Sequence, residues 1–470
     1  MTGKRTKNDI FAVLLVCIAA LAAVLPALYT FVLAWKDYSP LQGLSGSHWV
    51  GTANFRKLFA SPVFPQLLWN SLRLWLVGTV GAGALGLLIA QLAALIRDRR
   101  RLALCAGLLL IPAFLPPAVW MTLLTRYIGP ALLQNAAAFD LAYLLTAGLP
   151  IAFLTAFAGT ATAAAYRARG KSGASGALTG TLAALLIRTC ACLSPDFETL
   201  YLTYNPLVYE KADTFSTYAF RMGLQNGDLS AAAAASVTAM LLQAVVAVVA
   251  CGLLYLLLRK RPDASAMPEP PSGTSRLPWV ICGALAVGFS LLCGLPGDLT
   301  RTLPALTSAL PALMGLAAAF CVLYAASDGK NPAWVIFAGI ALAASGMLSG
   351  QYLLLRSAGL INTVFATGLT TWLTPAALVF VLTLAWVTCS SRGAVPWLLG
   401  TAACWLAAAG LGRLFPGIAM TMSGAGNLAR MLTDLAHFGN AADAYLPLTA
   451  VSLVLGFAGA WCAYRAVRKV

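Results

Sequence analysis

The sequence contains few charged residues for its length. Lys, Arg, Asp and Glu make up 10% of its 470 residues, whereas soluble domains average about 25%. Hydrophobic residues make up 60% of the chain, and its mean hydropathy is +0.82. A soluble fold with this composition would expose apolar side chains over its surface, which excludes an ordinary soluble enzyme, a disordered protein and a nucleic-acid-binding module. The composition predicts an all-α, polytopic membrane protein.

The residue clusters of metal centres and hydrolytic active sites are also missing from the sequence. The two histidines, His48 and His437, lie far apart, and the eleven cysteines include no Cys-x-x-Cys pair. Zinc sites need such ligands in clusters, and the polar segments contain no Ser-His-Asp or paired-carboxylate arrangement. We therefore expect a chain that is not an enzyme and binds neither a metal nor a cofactor.

Apolar runs long enough to cross a bilayer recur along the chain. A spanning helix needs about 20 mostly apolar residues, and the sequence contains twelve candidates. They cover residues 10–34, 66–96, 102–125, 141–163, 177–193, 231–258, 277–295, 305–326, 333–355, 370–390, 394–412 and 445–464. The first run is too long for a signal peptide and is interpreted as an uncleaved helix.

Basic residues predict how these spans are oriented. Loops that carry Lys and Arg stay in the cytoplasm. With a cytoplasmic N-terminus, the inside segments hold more than half of the 31 basic residues, and the outside segments hold most of the acids. Both termini are therefore expected in the cytoplasm. The net charge of +16 then needs no anionic partner.

A Pro- and Ser-rich segment at 262–276 has the composition of a linker. It divides the chain into a first half, residues 1–261, and a second half, residues 277–470. Each half has six predicted spans and begins and ends inside. The halves are therefore predicted to be parallel repeats, related by an axis along the membrane normal.

Two predicted outer loops, residues 35–65 and 194–230, combine aromatic, amide and acidic side chains. Aromatic faces stack on sugar rings, while acids and amides bond their hydroxyls; an interfacial aromatic belt is an equal alternative. Trp120, beside Pro116-Pro117, is a candidate for lining a pathway, although packing or lipid contact is commoner for such a residue. The candidates for the substrate pathway and outer gate are Trp49, Trp120, Tyr204, Asn205, Tyr209, Glu210 and Asp213.

Three ionisable residues fall inside or beside predicted spans. Such residues are costly in a bilayer and are candidates for function. Arg73 lies near an outer end and is expected to reach the headgroups; for Arg188 this role and a functional role both stay open, and Asp140 lies at a helix edge. No predicted span carries a central acid, which argues against a proton-coupled carrier.

The loop sequences resemble a known family, the permeases of carbohydrate-uptake ABC importers that handle polysaccharides and complex oligosaccharides. The run DYSPLQGLSGSHWVGTANFRKLF (Asp37–Phe59) is similar to the first outer loop of that branch, and YNPLVYEKAD (Tyr204–Asp213) to its last outer loop. The second half is similar to the partner permease through YLLLRSAGLINTVFA (Tyr352–Ala366). The resemblance implies two fused permeases in the inner membrane of a bacterium, cytoplasmic ATPases that hydrolyse ATP, and an extracellular sugar-binding lipoprotein that delivers carbohydrate.

The family contacts its ATPases through a loop after the fourth helix, with Glu-Ala-Ala, three residues, then Gly. Here Ala164–Gly170 keeps only the second position and the Gly, and Ser390–Gly393 is too short for a helix of a few turns. Gly170-Lys171-Ser172 resembles the end of a phosphate-binding loop, but Ala165 replaces the required first Gly and a helix precedes it. The candidates for the remaining ATPase contact are Arg167, Arg169, Gly170 and Lys171.

The sequence thus favours a permease subunit of a carbohydrate-importing ABC system that works by alternating access. A stand-alone secondary transporter or facilitator is the alternative, and a diverged, non-transporting membrane scaffold is the third possibility that the shortened loops permit.

Overall fold

The computed structural model describes residues 26–115, 120, 135–203, 207–259, 348–357, 379–380, 383, 392–413 and 446–469. This part of the chain is almost entirely helical. Its strands are the pair Lys36–Asp37 and His48–Trp49, which run antiparallel with Lys36 opposite Trp49. The 262–276 linker and the predicted spans over 277–295 and 305–326 lie outside the described residues, so the division into two six-helix halves stays a prediction.

The described parts of the predicted spans are mostly helical, and shorter helices also occur in the predicted outer loops 35–65 and 194–230. The helical stretches are 26–34, Gly43–Gly46, Ala53–Ala60, Val63–Ala93, Arg99–Leu110, Phe139–Ala168, Gly173–Thr189, Phe197–Thr203, Tyr209–Ala212, Phe215–Phe220, Leu229–Arg259, Leu348–Ser357, Val395–Arg413 and Leu446–Lys469. Short 3₁₀ turns occupy Ile111–Phe114 and Arg392–Ala394. The wider π-helical geometry occurs at Leu76–Gly81, Leu144–Gly148 and Arg221–Gln225.

Four of the described helices are long and apolar enough to cross a membrane. They are Val63–Ala93, Phe139–Ala168, Leu229–Leu257 and Ala450–Lys469. Leu229–Leu257 also leaves one apolar face uncovered, since Val245, Val249 and Leu253 are 68%, 60% and 51% exposed. A stripe of this kind is costly in water and suits lipid. The helices therefore support a multi-pass membrane protein.

Small residues bring the central helices into close contact. A Cβ atom on Gly176 would lie 2.8 Å from the Cα of Ala163, and one on Gly159 would lie 2.6 Å from the Cβ of Ala90. The helices Phe139–Ala168, Gly173–Thr189 and Val63–Ala93 therefore pack backbone against backbone. Dispersion between closely fitted surfaces is the main attraction available to helices in lipid, which explains the small residues at this contact.

Segments from beyond the 262–276 linker pack directly on the first part of the chain. A Cβ on Gly107 would lie 2.6 Å from the carbonyl oxygen of Ala460, so Leu446–Lys469 lies close against Arg99–Leu110. The indole nitrogen of Trp405 donates to the carbonyl of Ala113 at 3.1 Å. The described helices thus share one bundle.

The polar segments gather at two opposite ends of this bundle. One, the loop-rich end, carries the strand pair around Trp49 and the segment Tyr209–Asp213. The other, the arginine-rich end, carries 97–101 and the turn 169–172 between helices Phe139–Ala168 and Gly173–Thr189. The helix Val63–Ala93 runs from the loop-rich end to the arginine-rich end. The candidates for the outer gate and those for the ATPase contact are therefore separated by the length of this helix.

Candidate functional site

At the loop-rich end, a small hairpin holds Trp49 at the protein surface. The Trp49 ring is 59% exposed and stacks on Trp35, with ring centroids 6.5 Å apart. The side-chain amide of Asn54 donates to the carbonyls of Ala34 and Lys36, both at 3.0 Å, and so holds the start of the hairpin. Trp49 is therefore an aromatic platform on a fixed support, which is the geometry that sugar stacking requires.

The helical turn Tyr209–Ala212 is held by side chains from another helix. Asn70 donates to the carbonyls of Glu210 and Asp213 at 2.8 and 2.9 Å, and Gln66 donates to the same Glu210 carbonyl at 2.9 Å. Arg73 Nη2 donates to the carbonyl of Lys211 at 2.6 Å. We call Gln66, Asn70 and Arg73 the polar clamp; they lie at spacings of four and three residues, on one face of Val63–Ala93. They satisfy carbonyls that a single helical turn leaves without partners.

Arg73 also forms an ion pair within the protein, which corrects the expectation that it reaches the lipid headgroups. Its Nη1 lies 3.1 Å from Asp140 Oδ1, and its side chain is only 14% exposed. Asp140 stands in the first turn of Phe139–Ala168. A desolvated guanidinium is costly without a counter-charge, and Asp140 supplies that charge. Through its bonds to Asp140 and to the Lys211 carbonyl, Arg73 joins its own helix to Phe139–Ala168 and to the turn Tyr209–Ala212.

Asp213, a predicted gate residue, uses its carboxylate inside the fold. The residue is 6% exposed, its Oδ2 lies 2.5 Å from Arg221 Nη2, and its Oδ1 accepts from Thr217 Oγ1 at 2.9 Å. The Arg221 guanidinium also lies 5.6 Å from the ring of Tyr218. Burial raises the pKa of Tyr218. Asp213 therefore positions the segment rather than presenting a carboxylate to a solute.

The exposed groups of the same turn are its two other candidates. Tyr209 is 43% exposed and Glu210 is also exposed. Together with Trp49, they supply the aromatic and acidic character expected of a carbohydrate-facing surface. Tyr204 and Asn205 lie outside the described residues, so their part in the surface stays a prediction.

Trp120 is described, but residues 116–119 and 121–134 around it are not. Its indole nitrogen is buried and has no hydrogen-bond partner among the described residues. Its proposed place on a pathway stays a prediction.

Local π-helical widening occurs where two spanning helices meet below the polar clamp. In Val63–Ala93 it covers Leu76–Gly81, and in Phe139–Ala168 it covers Leu144–Gly148. A Cβ on Gly78 would lie 2.8 Å from the Tyr143 ring, whose hydroxyl accepts from the backbone N–H of Asp196 at 3.2 Å. Arg188, for which the sequence leaves two roles open, lies within electrostatic range of the same Tyr143 and Asp196. π-helical turns are frequent at functional sites.

At the arginine-rich end, the predicted loop Ala164–Gly170 is mostly helix. The helix continues to Ala168 and buries Ala164, Ala165 and Tyr166. The apolar run predicts a helix end near 163, five residues before the observed end at Ala168. Hydropathy places this end poorly, because the alanines that follow give little signal for where a helix stops. The prediction of a loop over these residues is therefore wrong.

The end of that helix is a Schellman motif, in which Gly170 adopts the left-handed conformation with φ +72°. The backbone N–H of Lys171 donates to the carbonyl of Tyr166 at 2.9 Å, and that of Gly170 to Arg167 at 2.9 Å. The Gly-Lys-Ser sequence is thus a helix cap. The next helix begins at Gly173, so the connection is a tight turn.

Among the four candidates for an ATPase contact, Arg167 has internal partners. Its guanidinium donates to the carbonyls of Ala94 and Ile96, just beyond the end of Val63–Ala93. Cations are favourable at helix C-termini, so Arg167 ties two helix ends together. Lys171 and Gly170 are exposed on the turn, and Arg169 is partly buried.

Sequence reasoning missed Gln66 and Asn70. The available signal was their position on an apolar helix, in register with Arg73 on one face.

Comparisons with known proteins support the resemblance. A polygalacturonan/rhamnogalacturonan transport system permease protein, YteP of Bacillus subtilis (strain 168), is 28% identical over 258 residues, covering 47% of this chain and 79% of the relative. Protein LplB of the same strain is 28% identical over 234 residues, covering 42% of this chain and 73% of the relative. No protein-family model matches the chain.

A solved structure of a bacterial alginate ABC transporter in complex with alginate pentasaccharide-bound periplasmic protein aligns with 43% of this chain and 82% of its own, at 21% identity and a TM-score of 0.36. The sequence relatives confirm that the chain resembles carbohydrate-importer permeases. YteP is described as a transport system permease protein, in agreement with the expectation that the chain is not an enzyme.

Proposed function

We propose that the chain is the membrane subunit of an ABC-type carbohydrate importer and forms its translocation pathway by alternating access. The observation that carries the proposal is the polar clamp on Tyr209–Ala212. This turn belongs to a loop that resembles the last outer loop of oligosaccharide permeases, and it is fixed by side chains of a spanning helix. A change in the tilt of that helix would therefore move the loop with it, which couples the bundle to its substrate-facing surface.

In this proposal, twelve helices form two parallel, fused permease halves with both termini in the bacterial cytoplasm. A sugar-binding lipoprotein docks on the loop-rich end and delivers its cargo near Trp49, Tyr209 and Glu210. Because one relative is described as a polygalacturonan/rhamnogalacturonan permease, pectic oligosaccharides are the first substrates to try. The exposed turn carries both the acidic Glu210 and the basic Lys211, so the choice among sugars rests on measurement.

ATP is hydrolysed by separate cytoplasmic ATPases in this scheme, and the arginine-rich end is their docking side. Lys171 and Gly170 are exposed on the tight turn there, while Arg167 stabilises the turn from inside. The shortness of the turn is also the observation that favours the alternative of a non-transporting scaffold, since a coupling helix of several turns does not fit between Ala168 and Gly173.

The orientation can be tested by labelling single introduced cysteines with a membrane-impermeant maleimide. We expect Glu210→Cys to react in intact cells, and Lys171→Cys to react only in inverted vesicles, because the two residues lie at opposite ends of the bundle. The native chain is the background control, since its described cysteines are buried or half-buried. Labelling of both variants from the same side would contradict the proposed topology.

Partnership can be tested by affinity purification of the full chain after co-expression with candidate ATPase and lipoprotein subunits. The ATPase is expected to co-purify with the native chain and less with Lys171→Glu, which reverses an exposed charge on the turn. Lys211→Glu, at the other end, is the matched control and is expected to leave ATPase recovery unchanged. Recovery of neither partner would favour the scaffold or the secondary transporter.

A further inference from the structure

A groove of about 500 Å³ lies at the arginine-rich end, mainly along Arg99–Leu110, with Phe153 of Phe139–Ala168 and Tyr464 of Leu446–Lys469 also in its lining. Its walls are mainly apolar and include Leu104, Leu108 and Tyr464. Gly107 is not part of the lining, but it lets Arg99–Leu110 and Leu446–Lys469 approach closely next to the groove, since a Cβ there would meet the carbonyl oxygen of Ala460 at 2.6 Å.

The groove opens sideways, toward the surface that would face lipid. Leu104 and Leu108 are spaced by one helical turn, and they are 53% and 52% exposed. An elongated apolar ligand can therefore lie along this helix with one side against the protein and the other against the bilayer. A water-soluble ligand would gain little from such an open apolar wall.

Positive charge lies at the mouth of the groove. Arg100 and Arg101 contribute to its lining, and Arg468 reaches the Tyr464 hydroxyl at 3.5 Å. The one neighbouring acid among the described lining and capping residues, Asp98, caps the helix by accepting from the Arg100 N–H at 3.0 Å, and lies 3.5 Å from Arg101. Cations therefore outnumber carboxylates at this mouth, as a phosphate group requires.

We infer that this groove binds one anionic phospholipid, with an acyl chain along Leu104 and Leu108 and the phosphate beside Arg100 and Arg101. The apolar wall suits an acyl chain, and the cationic mouth suits the phosphate. The lateral opening lets the lipid enter from the bilayer. The inference rests on the proposed membrane orientation, which places this end at the inner leaflet, but not on ATP-driven transport. The lipid would join the two helices that Gly107 brings together and so stabilise the contact between distant parts of the chain.

Native mass spectrometry of the full-length chain, titrated with dioleoyl phosphatidylglycerol, tests the inference. We expect one tightly bound phosphatidylglycerol, held at least ten-fold more tightly than dioleoyl phosphatidylcholine. The double variant Arg100→Gln/Arg101→Gln is expected to lose about thirty-fold in affinity for phosphatidylglycerol, because each basic residue near a membrane surface contributes a factor of about five.

Matched variants separate a site from general attraction. Arg97→Gln/Arg99→Gln removes the same charge from the same segment but leaves the groove lining intact, so we expect less than a three-fold change. Leu108→Trp fills the groove and keeps every arginine, so it is expected to lose phosphatidylglycerol binding while the chain stays folded, since position 108 is exposed.

Four outcomes would overturn the inference. Three of them are equal losses in the two arginine pairs, equal affinities for the two lipids, and unchanged binding in Leu108→Trp. Competition by glycerol 3-phosphate at the same concentration as the lipid would instead assign the arginines to a free phosphate and would also overturn it. None of these binding measurements depends on sugar uptake, so failure of the lipid site can be distinguished from failure of the proposed transport function.

Discussion

At the scale of single residues, the buried polar side chains of the loop-rich end are explained by the backbone groups they bond. Asn70 is 3% exposed on a mostly apolar helix and donates to the carbonyls of Glu210 and Asp213. A buried amide without partners would be costly. Asn70 therefore links the position of the helix Val63–Ala93 to the position of the turn Tyr209–Ala212.

Replacing Asn70 with Leu is expected to lower the free energy of unfolding by about 1–3 kcal/mol, because buried carbonyls lose their donor. It should also make the peptide bond after Lys211 more accessible to trypsin. Gln66→Ala is the control, since the Gln66 bond is exposed and its loss should have a smaller effect. Thermal unfolding in detergent and limited proteolysis give both readings, and a native cleavage pattern for Asn70→Leu would refute the clamp.

Gly170 is explained by its backbone conformation alone. It has φ +72°, and a Cβ atom at this position would meet no atom within 4 Å, so packing imposes no cost. Ala at this position is expected to lower stability by about 1–2 kcal/mol through left-handed strain. Asn, which tolerates this conformation, should lose less. Equal thermal stability for Gly170→Ala and the native chain would contradict the Schellman assignment.

At the scale of elements, the sequence predicts where helices lie better than where they end. The apolar run at 141–163 marks its helix correctly, yet the helix extends over Phe139–Ala168, since Ala164 to Tyr166 are buried by neighbouring helices and no breaker precedes Gly170. Likewise, hydropathy identifies Arg73 as unusual, but its partner Asp140 comes from a contact 67 residues away. Composition indicates which segments form helices, whereas the partner of a charged side chain depends on how those helices pack together.

Close packing of the helices Phe139–Ala168 and Gly173–Thr189 yields a prediction at this scale. Gly176→Ile would place a side chain against the backbone of Ala163 and is expected to destabilise the chain by about 2–3 kcal/mol. Gly252→Ile is the matched control, because a Cβ at Gly252 meets no atom within 4 Å. The measurement is the thermal midpoint of each variant in the same detergent. Equal midpoints would show that this contact is looser than described.

At the scale of the whole molecule, the bundle has two chemically distinct ends. Aromatic and acidic groups lie around Trp49 and Glu210 at one end, and cations lie around Arg100 and Lys171 at the other. The arrangement agrees with a membrane protein that meets solute on one side and cytoplasmic partners on the other. The low charge content of the chain follows from the same design, because the long helices between these ends carry almost no ionisable groups.

Uptake by proteoliposomes tests the central claim most directly. The full chain, reconstituted with its ATPase and sugar-binding lipoprotein, is predicted to accumulate a labelled oligosaccharide only when ATP is supplied on the arginine-rich side. Omitting the ATPase should abolish uptake. Accumulation without ATP, or binding of both partners with no uptake of any oligosaccharide tried, would contradict the assignment of an ABC-type carbohydrate permease.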